Sequence, residues 1–205
     1  MSKSDLHEII GQTKFDFAKY EEGKTIVKAG ENVEGLIFLL NGTVEATTES
    51  VNHTYRVIEN INAPYLIQPQ RLFGLRQQYY SSFRAHTQCN VMMLNKREVM
   101  KLIEAYEVFR INFINLYATG IQHLEDRLWG MPNTSLRSHL IRFFATHALR
   151  PAGEKTIKIK MTTLAEILND SRLDISKELN AMQAEGLVEL SRGAIHIPAL
   201  EALFV

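Results

Sequence analysis

Between Phe15 and Leu94 the apolar residues come in short runs broken by turn dipeptides, which predicts many short strands closing into a sandwich or barrel. The longest unit is Gly35-Leu36-Ile37-Phe38-Leu39-Leu40, then Asn41-Gly42, then Thr43-Val44-Glu45-Ala46-Thr47. Asn-Gly between strand-like runs accepts positive φ at both central positions, so this pair predicts a tight hairpin turn. Further strands are expected at residues 25–28, 54–58, 65–67 and 83–94, with turns at Glu22-Gly23 and Ala29-Gly30.

After Leu94 the period lengthens. Asn95 is a helix cap ahead of Val99, Leu102 and Ile103, which recur at helical spacing. A longer helix is expected over residues 108–129. Along it Ile114, Tyr117, Ile121, Leu124 and Leu128 step by threes and fours as a heptad seam, beside a second stripe of Phe109, Phe113, Leu116 and Gly120. Both stripes can pack on the protein's own β domain, the usual outcome for an amphipathic helix. The reading preferred here packs the second stripe on the barrel and the heptad seam, as dimerisation residues, on the same helix of a second subunit. Trp129-Gly130-Met131-Pro132 breaks the helix, since proline lacks the amide and disfavours helical geometry just before it. Asn133 or Thr134 then caps a helix expected to reach Leu149, and Thr156-Ile157-Lys158-Ile159-Lys160 alternates like a strand, with its lysines opposite its isoleucines.

The carboxy-terminal stretch carries the chemistry. Thr163-Leu164-Ala165-Glu166 has capping-box spacing and is expected to open a short helix; Ser171-Arg172-Leu173-Asp174 repeats that spacing after the turn Asn169-Asp170 and opens a second, ending near Glu185-Gly186. Two helices joined by a short turn make a helix-turn-helix. In the second, Ile175, Leu179 and Met182 fall at i, i+4 and i+7 and face a core, which turns Leu173, Lys177, Asn180 and Ala184 outward beside Ser176, with Ser171 and Arg172 at the amino end. That set suits a DNA major groove: Arg and Lys donate to guanine, Asn pairs with adenine, and Leu packs on a thymine methyl. A hairpin follows from Leu187-Val188-Glu189-Leu190 through Ser191-Arg192-Gly193 to Ala194-Ile195-His196-Ile197, a wing with Arg192 at its tip. Lys158, Lys160, Arg172, Lys177 and Arg192 act together only if they converge on one face.

Composition narrows the classes. The 205 residues, 45% apolar and 22% charged, suit one large domain or two modest ones. Lys plus Arg equals Asp plus Glu at 23 each, so any nucleic-acid site is a local patch. From Met131 onward nine basic residues face eight acidic ones, which predicts modest, strongly salt-dependent nonspecific affinity. The single cysteine, Cys89, excludes an internal disulfide, a four-thiolate cluster and a zinc-finger ligand set, and is read as a buried small hydrophobe. No run approaches the roughly 18 apolar residues of a membrane span and no signal peptide is apparent, so a cytoplasmic protein is expected.

With these elements in order, the chain resembles the Crp/Fnr family of bacterial transcription regulators over almost its whole length. Leu164-Ala165-Glu166-Ile167-Leu168, Ser171-Arg172, Glu185-Gly186-Leu187-Val188 and Arg192-Gly193 carry the resemblance best. Lys28-Ala29-Gly30-Glu31 and the run from Leu36 to Val44 look like the first strands of that family's cyclic-nucleotide-binding jelly roll. The resemblance implies an α+β architecture of three parts: a β-roll sensor (1–107), a long connecting and dimerisation helix (108–130) and a winged helix-turn-helix (131–205). It also implies a homodimer on a near-palindromic duplex, Arg172 as first choice for a guanine contact, and RNA polymerase as a candidate partner.

One part of the family pattern fails. Members that bind cyclic nucleotides use a Gly-Glu pair and an Arg-Ser/Thr pair, arginine neutralising the phosphate and glutamate accepting from the ribose. The matching positions here are Ile67-Gln68 and Tyr79-Tyr80, so both charged groups are missing, with Arg71, Arg76 or Arg84 the nearest substitutes. Cyclic AMP is therefore not the expected input, and neither effector, operator nor activation versus repression is legible. Tyr79, Tyr80 and Phe83 are read as core or dimer contacts ahead of an apolar ligand pocket. No cofactor, metal or enzymatic activity is expected: a lone histidine such as His53 or His86 is far more often a surface or satisfied core residue than a haem ligand, and the two are widely separated and lack the alternating histidine pair of a cupin-type metalloenzyme. A small-molecule sensor acting on a protein partner is the remaining alternative, disfavoured by the wing.

Overall fold

The computed structural model describes residues 13–129 and 135–204. Its strands are β1 (Asp16–Tyr20), β2 (Thr25–Val27), β3 (Gly35–Asn41), β4 (Thr43–Glu49), β5 (Tyr55–Asn62), β6 (Tyr65–Leu66), β7 (Ser82–Ala85), β8 (Cys89–Asn95), β9 (Lys155–Ile159), β10 (Glu189–Ser191) and β11 (Ala194–Ile197). Its α-helices are α1 (Lys96–Ala105), α2 (Glu107–Trp129), α3 (Leu136–His147), α4 (Met161–Leu168) and α5 (Arg172–Ala184). Among the described residues two compact units result, one of residues 13–45 and 61–122, the other of 46–60, 123–129 and 135–204.

In the first unit β1, β8, β3 and β6 form one antiparallel sheet, and β4, β7 and β2 are neighbours in the other. The Asn41-Gly42 step is not the hairpin its sequence predicts. Only Gly42 takes positive φ, at 88°, and β3 and β4 lie in different sheets, so the step is a corner between layers. A Cβ at Gly42 would run into the Gln88 carbonyl and the Cys89 side chain. The run 83–94 likewise splits into β7 and β8, one in each sheet. Val27, Leu36, Leu39, Val44, Ile61, Phe83, Val91 and Leu94 are all buried. Cys89 is buried as expected, and burial raises its thiol pKa.

Asn95 caps α1 as predicted, accepting from the Glu98 amide at 2.9 Å. On α2 the stripe turned to the roll is Phe109, Phe113 and Tyr117: Phe113 meets Phe73 edge-on, and the Tyr117 hydroxyl donates to the Pro69 carbonyl at 2.6 Å. Tyr117, assigned above to the dimer seam, is thus held on its own roll. Gly120, assigned to the roll stripe, is exposed, and a Cβ there would meet nothing within 4 Å; Leu116 is exposed too.

In the second unit β10, β11, β9 and β5 are neighbours in one sheet. The pairing of β5 with β9, from Tyr55↔Ile159 to Glu59↔Lys155, was not anticipated. One core gathers Leu140 and Phe144 of α3, Ile157 and Ile159 of β9, Leu164, Ile175, Leu179, Met182, Ile195 and Ile197. The α3 cap is Ser135, and the helix stops at His147 where Leu149 was expected. The two cap candidates Asn133 and Thr134 lie outside the described residues.

Candidate nucleic-acid interface

α5 begins where its sequence requires. The Ser171 hydroxyl accepts from the Asp174 amide at 3.1 Å and donates to the Asp174 carboxylate at 2.6 Å, a reciprocal cap. That hydroxyl bond, with Lys177 adding to it, holds the Asp174 carboxyl below the ordinary aspartate range. Ser171 is therefore engaged in capping the helix. Ile175, Leu179 and Met182 are buried, and Gly186 takes the left-handed conformation just past the helix, at φ 75°. α4 differs from its prediction: it starts at Met161 behind Lys160 with no side-chain cap, so the Thr163–Glu166 box is not used. Asn169, at φ 52°, makes the left-handed turn between the two helices.

The opposite face of α5 is open. Leu173 is 65% exposed, and Arg172, Lys177 and Asn180 are exposed beside half-buried Ser176. Among the described residues Arg172 has no ion-pair partner, so its guanidinium is available. Lys177 sits 3.5 Å from Asp174, and the Asn180 amide donates to the Ser176 carbonyl at 2.7 Å. Both are single, solvent-exposed contacts, weak enough to be exchanged for a base edge.

Arg137 of α3 fixes this helix from behind, a role sequence reasoning missed. Its Nε donates to Glu178 at 2.6 Å, and its two terminal nitrogens grip the Glu185 carboxylate at 2.6 and 2.8 Å. The fork lowers the Glu185 pKa and raises that of Arg137. At the far end the Leu190 amide donates to the Gln183 side chain at 2.8 Å, tying the wing to α5.

The wing carries Arg192 exposed at its tip, and the Ile159 amide donates to the Gly193 carbonyl at 3.0 Å, which brings Lys160 beside it. Lys158 is a correction to the expected convergence. Ile157 and Ile159 face the core that holds α5, so Lys158 projects from the opposite face of the sheet, where Arg56 and Ala194 are its register partners. The structure brings Arg172, Leu173, Ser176, Lys177 and Asn180 together, and Lys160 with Arg192; it does not bring Lys158 to them.

In the roll, the cassette positions are filled by internal bonds. Gln68, at φ 38°, is 2% exposed; its carbonyl oxygen accepts from the Tyr80 amide at 2.8 Å and its amide donates to Ser81 Oγ at 3.0 Å. Ile67 and Tyr79 are buried, and Tyr80 is half exposed with the Arg71 guanidinium 5.3 Å from its ring centre. Arg84 points outward from β7 to Glu45 at 3.2 Å, which removes it as a substitute phosphate ligand inside the roll. Among the described residues no group of His, Cys, Asp and Glu is placed to hold a metal ion, and no helix is long and apolar enough to cross a membrane.

Residues 17–106 match the family described as the cyclic nucleotide-binding domain, and residues 138–204 match the Crp-like helix-turn-helix domain. A roll of that type joined to a helix-turn-helix defines a class, the DNA-binding transcription regulators that carry a cyclic-nucleotide-binding-type domain. Within that class, the chain belongs to the Crp/Fnr family. In fold it is similar to the catabolite activator protein of Thermus thermophilus, at 18% identity and TM-score 0.52 over 99% of this chain and 93% of that one. A Crp/Fnr-family regulator from Eubacterium rectale gives 18% identity and TM-score 0.51 over 100% and 94%. A transcriptional regulator from Thermotoga maritima gives 15% and 0.53 over 61% and 95%. Among curated protein sequences there is no significant match.

Proposed function

We propose that this regulator acts in the cytoplasm as a homodimer that places two copies of α5 in successive major grooves of a near-palindromic operator, roughly 34 Å apart. Arg172 reads guanine, Asn180 and Lys177 read neighbouring bases, Leu173 packs on a thymine methyl, and Lys160 with Arg192 grips phosphate. The observation that carries this reading is the open polar face of α5 over a fully buried aliphatic one. The functional division is a sensor roll (1–107), a dimerisation helix (108–130) and a DNA-binding domain (131–205). RNA polymerase is the expected partner on bound DNA.

The dimer seam rests on Ile111, Ile114, Ala118 and Ile121, spaced by three, four and three, with Leu124 beside them; Ile111, Ile114, Ile121 and Leu124 are 47–58% exposed in the single chain. Leu128, the last residue of the predicted seam, has its side chain outside the described residues. The internal bonds of Gln68 support a roll that does not answer to cyclic AMP, since the position expected to accept from a ribose already serves two backbone amides and a hydroxyl.

Three measurements on the full chain test this. Sedimentation gives a dimer, and Ile114→Glu with Ile121→Glu shifts it to monomer with loss of operator binding. Selection from random duplex DNA recovers a near-palindrome. Calorimetry with cyclic AMP shows no heat. A monomeric wild type, an unstructured selected pool or tight cyclic AMP binding would each refute the corresponding part.

A further inference from the structure

A cavity of about 530 Å³ opens beside β3; the cassette position Tyr79 lines it while Gln68 does not, and none of its lining residues belongs to α5 or the wing. Its volume falls in the range of small-molecule sites. Val27 and Leu36 supply buried apolar floor, while Asp16, Glu31 and Glu34 line its exposed rim. No lysine or arginine is among the lining residues. Glu31 accepts from the Lys28 amide at 2.9 Å, whereas Asp16 and Glu34 have no ion-pair partner among the described residues.

A second feature is independent of those carboxylates. Tyr79 lines the same cavity at only 5% exposure, and its hydroxyl has no hydrogen-bond partner among the described residues. A phenol oxygen that makes no hydrogen bond within the described fold is free to accept one from a bound donor. Burial first, then the negative field of Glu31 and Glu34, pushes this phenol up to about 12. The hydroxyl therefore stays protonated at neutral pH and keeps an oxygen lone pair to offer an ammonium group.

We propose that this cavity binds a small organic cation, a protonated amine carried on a compact apolar body. The apolar part lies on Val27 and Leu36, and the ammonium is held by the Tyr79 oxygen within the field of Glu31 and Glu34. The site does not depend on how the protein reads DNA.

The test is calorimetry on the full-length protein with three probes of one shape: 2-phenylethylamine, neutral 2-phenylethanol and anionic 3-phenylpropanoate. The amine is expected to bind about tenfold more tightly than the alcohol, the acid not measurably, and added salt should erode the amine's advantage. The exposed, isosteric pair Glu31→Gln with Glu34→Gln should weaken the amine about threefold to tenfold and leave the alcohol unchanged. Tyr79→Phe should weaken the amine by a similar factor. Equal affinity for amine and alcohol, an unchanged amine affinity in the double glutamine variant, or no amine binding up to about 10 mM would overturn the proposal.

Discussion

Gly42 shows how far a single residue's chemistry is legible. The Asn-Gly pair marks a change of direction correctly, but the sequence does not say whether the next strand returns beside the last one or crosses to another sheet. That choice lies with residues 46 and 47 positions along the chain, Gln88 and Cys89, against which the corner closes. Gly42→Ala meets both a left-handed φ and a steric clash, so it is expected to destabilise the protein by about 3 kcal/mol or more, read as a lowered urea midpoint. Ser171, Asn95 and Arg172 were readable because capping and helical exposure are local. Gln68 was visible as a loss of charge from the cassette, but its bonds to Tyr80 and Ser81 depend on a turn at φ 38° that no neighbouring residue announces.

At the scale of elements, the unforeseen feature is the pairing of β5 with β9. Its signal was present: Glu59 falls on the buried parity of Val57 and Ile61, and Lys155 on that of Ile157 and Ile159. A charge on an apolar parity calls for a partner, and here each supplies the other's. Both are 2% exposed, 3.0 Å apart, with Glu59 also accepting from the Leu149 and Arg150 amides and Lys155 donating to the Ala152 carbonyl. Such a pair is more costly to break than to replace. Glu59→Gln is expected to cost about 3–5 kcal/mol by chemical denaturation, while Glu59→Leu combined with Lys155→Met recovers most of it. Equal losses in both variants would show that the pair is not coupled. The amphipathic helices were read well because their period is local; Tyr117 was misplaced because three-and-four spacing counts stripes without saying which one meets the roll.

For the whole molecule, charge and pH bear on the DNA-binding unit together. Asp174, Glu185 and Glu201 are all held below their ordinary range, first by the Ser171 hydroxyl, the Arg137 guanidinium and the Gly153 amide respectively. A depressed carboxyl stabilises the fold above its unfolded pKa, about 4, and that contribution is lost as pH falls through the lower folded value. Thermal midpoints should therefore hold level from neutrality to about pH 5 and fall below about pH 4, with a shallower fall in Arg137→Gln. A midpoint that rises on acidification would contradict the assignment. The order of helix, turn, helix and wing was legible from sequence because each part is bounded by its own caps and glycines. The place of Lys158 was not, since it depends on which face of a sheet receives α5. The most direct test of the account is an anisotropy titration of full-length protein on its selected duplex and on a scrambled one, repeated with Arg172→Ala. The wild type should prefer the selected duplex by at least about a thousandfold. The variant should lose about 1–3 kcal/mol on that duplex and almost nothing on the scrambled one. Equal affinity of the wild type for both duplexes, or an Arg172→Ala protein that binds the selected site undiminished, would contradict it.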